Sequence, residues 1–277
     1  MKTTNMCLIL VLVGIIIWSL HFVPPIKEGF DATRSQSQGI STQKVFVINL
    51  DKDTSRYNDF LKYYNQSDFA DIPCERFSAI NGKNVNSEDY LSEHAKSEFQ
   101  EVKSQGYRTK HHQLTDGGVG CFLSHSSLAK KLVDEEEDDV QYIVFEDDIA
   151  CKPNSKQQFD KYMKQAPEDW DYLSFQQWKL EGDDVNEHFK RPSSFWGTGF
   201  YVMNKSGAQK LLDEMNSVKM DGQIDAYLSR MSQQRKMNLY ACPKSLTKDN
   251  SKNESNIQIQ IKKKPGVDPK DYFGVML

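Results

Sequence analysis

Three adjacent carboxylates, Glu146, Asp147 and Asp148, directly follow the apolar segment 141–145 (QYIVF). Like charges at this spacing raise one another's pKa unless a cation lies among them. Mg²⁺ and Mn²⁺ take hard oxygen ligands and are often shared between carboxylates and substrate phosphates. The segment therefore predicts a divalent-cation site. An acidic surface turn is the alternative, and these three residues alone do not decide between the two.

Two further segments could carry chemistry. The glycine-rich segment 117–120 (GGVG) could receive a phosphate at a helix start, but it matches neither a dinucleotide fingerprint nor a P-loop. A tight turn is the other interpretation. Ser124 and His125 are adjacent, and neighbours on a helix do not face each other, so we interpret His125 as a packing or hydrogen-bonding residue. No cysteine or histidine spacing typical of zinc is present.

The elements that must position these residues alternate along the chain. The apolar run 45–50 predicts a buried strand. The acidic run 134–139 predicts a solvated loop, with a calcium site as the alternative. The further predicted strands are 76–80, 141–145, 171–175 and 199–203, and the predicted helices are 55–64, 205–215, 223–233 and one that follows a turn at 115–120. This order is typical of an α/β fold with a mostly parallel, Rossmann-like sheet and flanking helices. In such sheets, ligands bind beyond the carboxyl ends of the strands, where the carboxylates lie.

The amino-terminal part predicts a membrane anchor. Residues 6–23 are almost entirely apolar and are preceded by a short tail, residues 1–5, that contains Lys2. Their length is close to the ~20 residues that span a bilayer as a helix. A cleaved signal peptide is the alternative, but small residues are missing at the expected cleavage position. The charge distribution favours a type II orientation with the folded part in a lumen or outside the cell, in Golgi, endoplasmic reticulum or cell-surface membranes.

The remaining chain divides by composition. Residues 24–43 are predicted to be a stalk, 44–243 the folded domain and 244–277 a polar tail in which alternating isoleucines could form one edge strand. The net charge of −4 argues against a nucleic-acid groove. The cysteines of the domain allow three pairings, among which the sequence does not choose. They are Cys74, Cys121, Cys151 and Cys242.

Several blocks then combine in a fixed order. They are 45–51 (VFVINLD) with Arg56, 76–82 (RFSAING), 114–125 (LTDGGVGCFLSH), 143–149 (IVFEDDI), 197–212 (GTGFYVMNKSGAQKLL) and 224–228 (IDAYL). Together they resemble glycosyltransferase family 25, which includes lipopolysaccharide sugar transferases and collagen galactosyltransferases. Each block is weak by itself, and it is their order that carries the resemblance.

The resemblance implies a GT-A fold, a UDP-sugar donor and inverting transfer of a hexose, galactose or glucose first, that depends on Mn²⁺ or Mg²⁺. It places Asp147 and Asp148 at the metal. The implied donor-binding residues are Asn49, Arg56, Asn81, Glu146 and Asp147. The acceptor would be a glycan or glycoprotein. The implied general base is Asp225, with Asp221 as the second candidate if the helix begins there; either could instead cap the helix.

Three residues depart from the family pattern. Ala129 stands where a tryptophan is usual, which puts acceptor or packing contacts there in doubt, Asn81 where an aspartate is common, and Gly118 where a glutamate is usual. A catalytically inactive, membrane-anchored sugar-binding or structural surface protein is therefore an alternative function. A metal-dependent nucleotidyltransferase or phosphohydrolase is another, but it leaves the blocks at 197–212 and 224–228 unexplained.

Overall fold

The computed structural model describes residues 42–110 and 113–250. The strands are Thr42–Asn49 (β1), Cys74–Ser78 (β2), Val140–Glu146 (β3), Ile149–Cys151 (β4), Tyr172–Asp184 (β5), Lys190–Asn204 (β6), Leu239–Ala241 (β7) and Thr247–Asp249 (β8). The α-helices are Thr54–Asn65 (α1), Glu93–Gln105 (α2), Asp116–Val133 (α3), Ser155–Met163 (α4), Lys205–Ser217 (α5) and Ile224–Gln233 (α6). Short 3₁₀ helices lie at Gly82–Asn84 and Ser87–Tyr90.

Six strands form the central sheet in the order β2-β1-β3-β6-β5-β7. β1 pairs in parallel with β2 and β3, and β5 pairs in parallel with β7. β6 pairs antiparallel with both of its long neighbours, β3 and β5. The α/β class and the mostly parallel sheet are confirmed, with one reversed strand. The reversal follows from the short connection between β5 and β6, since only antiparallel strands can be joined by a tight hairpin.

The two faces of the sheet bury separate apolar clusters because successive side chains along a strand point to opposite sides. On β1, Phe46 and Ile48 belong to the cluster between the sheet and helices α2, α3, α5 and α6. Val45 and Val47 belong to the cluster on the opposite face of the sheet, which α1 and α4 cover. Helices on both faces explain why the strands read as continuous apolar runs.

The glycine-rich segment lies inside a helix, so the turn predicted at residues 115–120 is wrong. Helix α3 begins at Asp116, and the Thr115 hydroxyl caps it by accepting a hydrogen bond from the Gly118 amide at 3.1 Å. A Cβ on Gly120 would lie 2.5 Å from the backbone nitrogen of Gly82, and one on Gly82 would lie 1.6 Å from the Asp116 carbonyl oxygen. The glycines therefore allow helix α3 to contact the backbone that follows β2.

Several expectations concern the ends of the chain. β8 pairs antiparallel with β4, so backbone pairing continues beyond residue 243. The expected anchor at residues 6–23, the stalk and the isoleucine-rich part of the tail lie outside the described residues. Among the helices of 42–110 and 113–250, none has the length and apolar character needed to cross a membrane. The four cysteines of these ranges are free thiols, so none of the three pairings is formed.

Candidate active site

A pocket of about 360 Å³ opens at the carboxyl ends of β1, β2 and β3. Its size is within the range of small-molecule sites. Residues from the first turns of α3 also line it, and Lys52 and Lys83 lie in its wall. The residues predicted for the donor and the metal all line it: Asn49, Arg56, Asn81, Glu146, Asp147 and Asp148.

Asp147 is fully engaged by protein partners. The Asn49 amide donates to one carboxylate oxygen at 2.5 Å, and Nε of Arg56 donates to the other at 3.0 Å. Nη2 of Arg56 also pairs with the same oxygen of Asp147. Burial raises the pKa of Asp147, while Arg56 and the Asn49 hydrogen bond oppose this shift. Asn49 and Arg56 thus hold the acidic segment in place.

Arg76 continues this network and was not predicted to belong to the site. Its Nε donates to the side-chain oxygen of Asn49 at 2.8 Å, and its Nη2 donates to the Leu50 carbonyl at 3.1 Å. The bond to Arg76 leaves the amide nitrogen of Asn49 directed at Asp147. Arg76 lies in the block 76–82, but its type alone did not indicate this contact, because the partners come from different strands.

Glu146 is held from the other side of the pocket. Its Oε1 accepts hydrogen bonds from Thr198 at 2.6 Å and from Nε2 of His125 at 3.2 Å, while Nδ1 of His125 lies 2.9 Å from the Tyr201 hydroxyl. Burial opposes ionisation of Glu146, but the bonds from His125 and Thr198 outweigh it and lower its pKa. The interpretation of His125 as a hydrogen-bonding residue agrees with this geometry. Ser124 instead bonds the backbone, donating to the Gly120 carbonyl at 2.6 Å.

Of the three carboxylates, Asp148 has the weakest compensation of its negative charge by protein groups. Its side chain is 33% exposed, and its shortest ion-pair distance is 3.3 Å, to Nη2 of Arg56. Burial, then the charges of Glu146, Asp147 and Asp249, raise its pKa to about 7, although Arg56 opposes the shift. A carboxylate with a raised pKa in a cleft is a functional-site candidate.

Asp148 offers a carboxylate oxygen, the hard ligand that Mg²⁺ and Mn²⁺ prefer, and further ligands would have to come from a substrate or from water. Asp147 would have to give up a bond to Asn49 or Arg56 before it could serve as a second ligand. A different group of donor atoms, from Cys121, His125 and Glu146, lies within 4.8 Å of one another. Cys121 and His125 are one helical turn apart, so the expectation that no cysteine or histidine spacing suits a metal overlooked this pair.

Asp225 and Asp221 are placed very differently. Oδ2 of Asp225 accepts a hydrogen bond from the Gly197 amide at 2.8 Å, and burial raises its pKa with a further contribution from the charge of Glu146. Asp221 precedes helix α6, which begins at Ile224, so it does not share a helix face with Asp225. It is exposed and ion-paired with Arg230. Neither residue lines the pocket, but Asp225 is electrostatically coupled to it through Glu146.

Comparison with known families agrees with this arrangement. The family model described as "Glycosyltransferase family 25 (LPS biosynthesis protein)" matches residues 42–228, which is more than half of the chain. The chain belongs to glycosyltransferase family 25. The match extends from β1 into α6, so it includes every element that contributes a residue to the pocket.

Relatives in the family are longer than this chain. A "Glycosyltransferase 25 family member" of Aedes aegypti is 29% identical over 222 residues, which are 76% of this chain and 33% of the relative. Human "Procollagen galactosyltransferase 2" is 28% identical over 204 residues, 68% of this chain and 28% of the relative. A "Probable inactive glycosyltransferase 25 family member 3" of Bos taurus is 36% identical over 107 residues, 36% of this chain and 18% of the relative. The family 25 chain thus spans about a third of the first of these relatives, and less of the other two.

Two departures from the family pattern have structural consequences. Ala129 has no exposed surface and belongs to the apolar cluster on the α3 side of the sheet, so its position is a packing position. Asn81 caps the short helix Gly82–Asn84, its side-chain oxygen accepting from the Lys83 amide at 3.1 Å. An uncharged asparagine serves this capping role as well as an aspartate does. Neither departure changes the acidic segment of this family 25 site.

Proposed function

We propose that the protein transfers a hexosyl group from a UDP-sugar to a hydroxyl of a glycan or glycoprotein, with inversion at the anomeric carbon. Galactose and glucose are the first donors to test. The observation that carries the proposal is Asp148: a poorly compensated carboxylate at a strand end, within a pocket of a family 25 chain. The human relative named procollagen galactosyltransferase 2 is similar to this chain over 68% of the chain's length. The activity in that name supports a galactosyl donor.

The diphosphate of the donor would lie between Asp148 and the basic wall of the pocket. Two like-charged groups repel unless a cation separates them, so Asp148 would hold Mn²⁺ or Mg²⁺, which when bound neutralises charge on the diphosphate leaving group. Lys52 and Lys83 would attract the remaining phosphate charge. Asn81 lies beside Lys83 in the wall and is available to the nucleoside. Asn49 and Arg56 would act by orienting the acidic segment through Asp147.

Asp225 is the proposed general base. A base must take the proton of the acceptor hydroxyl, and a raised carboxyl pKa favours that transfer. Burial produces this shift at Asp225, and the Gly197 amide orients the carboxylate. Asp221 is the weaker candidate because its carboxylate is exposed and paired with Arg230.

A donor screen that measures UDP release tests the proposal. Wild-type protein is incubated with UDP-galactose, UDP-glucose and other UDP-sugars, with Mn²⁺, Mg²⁺ or a chelator. We expect Asp148→Ala to abolish metal-dependent turnover, and Asp225→Asn to reduce kcat by about 100-fold or more, as is typical for loss of general base catalysis. Asp221→Asn is the matched control and should retain wild-type kcat. Full metal-dependent activity of Asp148→Ala would contradict the site assignment.

We also propose that residues 6–23 anchor the protein as a single-pass type II membrane protein with a lumenal or extracellular catalytic domain. The apolar composition of this segment supports the proposal. Carbonate extraction of membranes and protease protection of the catalytic domain test it. Release of the protein by carbonate would contradict an uncleaved anchor.

An inactive, sugar-binding protein is the second candidate. It is favoured by the similarity to the probable inactive relative of Bos taurus, although that match covers only 36% of this chain. It predicts no turnover with any donor. Calorimetry of metal-dependent UDP binding then distinguishes two cases. If UDP binds but no donor is turned over, the donor site is present and the right donor has not been tested. If both binding and turnover are absent, the donor site itself is lost.

A further inference from the structure

Trp178 is the unusual residue on the surface of the hairpin β5–β6. Its side chain is 45% exposed, although tryptophan has the largest apolar surface to bury. Within the described ranges, the other exposed large hydrophobic residues are Tyr90 and Val185. Single exposed apolar residues are common on protein surfaces, so what distinguishes Trp178 is the set of contacts that hold its ring and the groups that lie beside it.

The backbone of the hairpin maintains this position of the ring. Gly197, on the neighbouring strand, has φ +88, and a Cβ there would lie 2.3 Å from Cζ3 of Trp178. The six-membered ring of Trp178 therefore occupies the space that a side chain at position 197 would fill. Lys179 has a φ of 48, and the β5–β6 register shifts on both sides of Trp178. Bulges of this kind often re-aim a side chain beside an active site.

Gly197 connects Trp178 with the proposed general base. The Gly197 amide donates to Asp225 at 2.8 Å, and the next residue, Thr198, donates to Glu146 at 2.6 Å. The ring thus lies against Gly197, the partner of Asp225, and one residue from Thr198, the partner of Glu146. Trp178 does not line the donor pocket. Since a base must contact the acceptor hydroxyl, the surface beside Asp225 belongs to the acceptor side of the site.

Trp196 extends the aromatic surface. It is the β6 residue opposite Trp178 in the strand register, and the ammonium group of Lys179 lies 3.8 Å from the centroid of its ring. A cation at this distance over an aromatic face holds the side chain in place. Two indoles on adjacent strands and one ammonium donor provide both an apolar face and a polar contact, a combination typical of specific small-molecule sites.

We propose that Trp178, supported by Gly197 and flanked by Trp196, is an acceptor subsite that binds a hexopyranose ring through its C–H face. The subsite rests on the proposed function, because Asp225 defines which side of the site receives the acceptor. A pyranose presents axial C–H bonds on one face and hydroxyls at its edge. The indole ring would pack against that face and direct a hydroxyl towards Asp225. The occupant is the terminal sugar of a glycan, and the donor hexose is the alternative source of the same ring.

Ligand-observed NMR tests the subsite without requiring turnover. Methyl β-D-galactopyranoside and methyl β-D-glucopyranoside are titrated with the full-length protein, with and without UDP and Mn²⁺, and saturation transfer is measured for each ring proton. We expect the strongest transfer at the C–H protons of one face. For Trp178→Ala we expect the Kd to increase about tenfold, the factor that corresponds to the loss of roughly 1.4 kcal/mol of aromatic packing. Trp178→Phe should restore part of the affinity, and Tyr90→Ala, which removes an exposed aromatic ring elsewhere, should bind as the wild type does.

Kinetics separate the two sources of the sugar. With the same glycosides as acceptors, Trp178→Ala should raise the acceptor KM about tenfold and leave the donor KM and the hydrolysis of the UDP-sugar unchanged. A change in donor KM or hydrolysis would place the ring on the donor side and overturn the proposal. Equal Kd values for wild type and Trp178→Ala would also overturn it. If the glycosides bind through Trp178 but no donor is turned over, the proposed function fails and the sugar subsite stands.

Discussion

The substitution Asp148→Asn should stabilise the metal-free protein while removing its response to metal. The pKa of Asp148 is raised from 3.8 to about 7 by burial and by neighbouring carboxylates. Between these two values the folded state binds a proton that the unfolded chain has released, so stability falls as pH rises from about 4 to about 7. Asparagine has nearly the same shape and carries no charge, so the variant lacks this contribution.

The magnitude follows from the same shift. About three pKa units correspond to about 4 kcal/mol at roughly 1.4 kcal/mol per unit. Because the side chain is 33% exposed, solvent screens the charge, and we expect about half of this, or about 2 kcal/mol. At about pH 8 the variant should therefore be more stable than the wild type by about 2 kcal/mol, and at about pH 4 the two should be equal.

Urea unfolding of the purified protein in chelator and in Mn²⁺, over this pH range, measures the effect. Mn²⁺ should stabilise the wild type by binding only its folded state, and should leave Asp148→Asn unchanged. Asp213→Asn is the matched control, since Asp213 is exposed on α5 and its replacement should change stability by less than about 0.5 kcal/mol. Equal unfolding free energies of wild type and Asp148→Asn at about pH 8 without metal would refute this reasoning.

Two further predictions concern the frame of the pocket. Gly82→Ala should destabilise the protein by about 3 kcal/mol in urea unfolding because its Cβ would lie 1.6 Å from the Asp116 carbonyl oxygen. Gly222→Ala is the control, with its nearest contact at 3.5 Å, and a similar loss there would contradict the explanation. Asn49→Asp would place a second carboxylate 2.5 Å from Asp147 and should cost about 2 kcal/mol at neutral pH. Part of that loss should be recovered near pH 5, where one of the two carboxyls protonates; a loss independent of pH would argue against charge repulsion.

Local patterns predicted the elements of the fold because they depend on neighbours in sequence. The apolar run before Glu146 predicted a buried strand, and the structure has β3 at Val140–Glu146. The sequence also predicted helices at 55–64 and 205–215, which are observed as Thr54–Asn65 and Lys205–Ser217. The glycine-rich segment was misassigned because glycine is common in turns. Here glycine is required because the helix packs against the backbone of Gly82. Local sequence patterns do not reveal this contact, since its two sides are far apart along the chain.

The extent and direction of β6 also depended on tertiary structure. The predicted strand 199–203 covers only its last part, whereas the observed strand extends from Lys190 to Asn204. The earlier part contains Pro192, serines and Gly197, which weaken a strand pattern. It pairs because β5 lies beside it in a hairpin, and pairing with a neighbouring strand overrides a weak local preference.

The sequence by itself determined that three carboxylates follow a buried strand, and the order of the surrounding blocks identified the family. Only the tertiary structure decided which protein partners each carboxylate has. Asp147 is bound by Asn49 and Arg56, and Glu146 by His125 and Thr198, which leaves Asp148 the least compensated. The physical reason is that ionisation depends on burial and on charges a few ångströms away, and these partners are 21 to 98 residues distant along the chain.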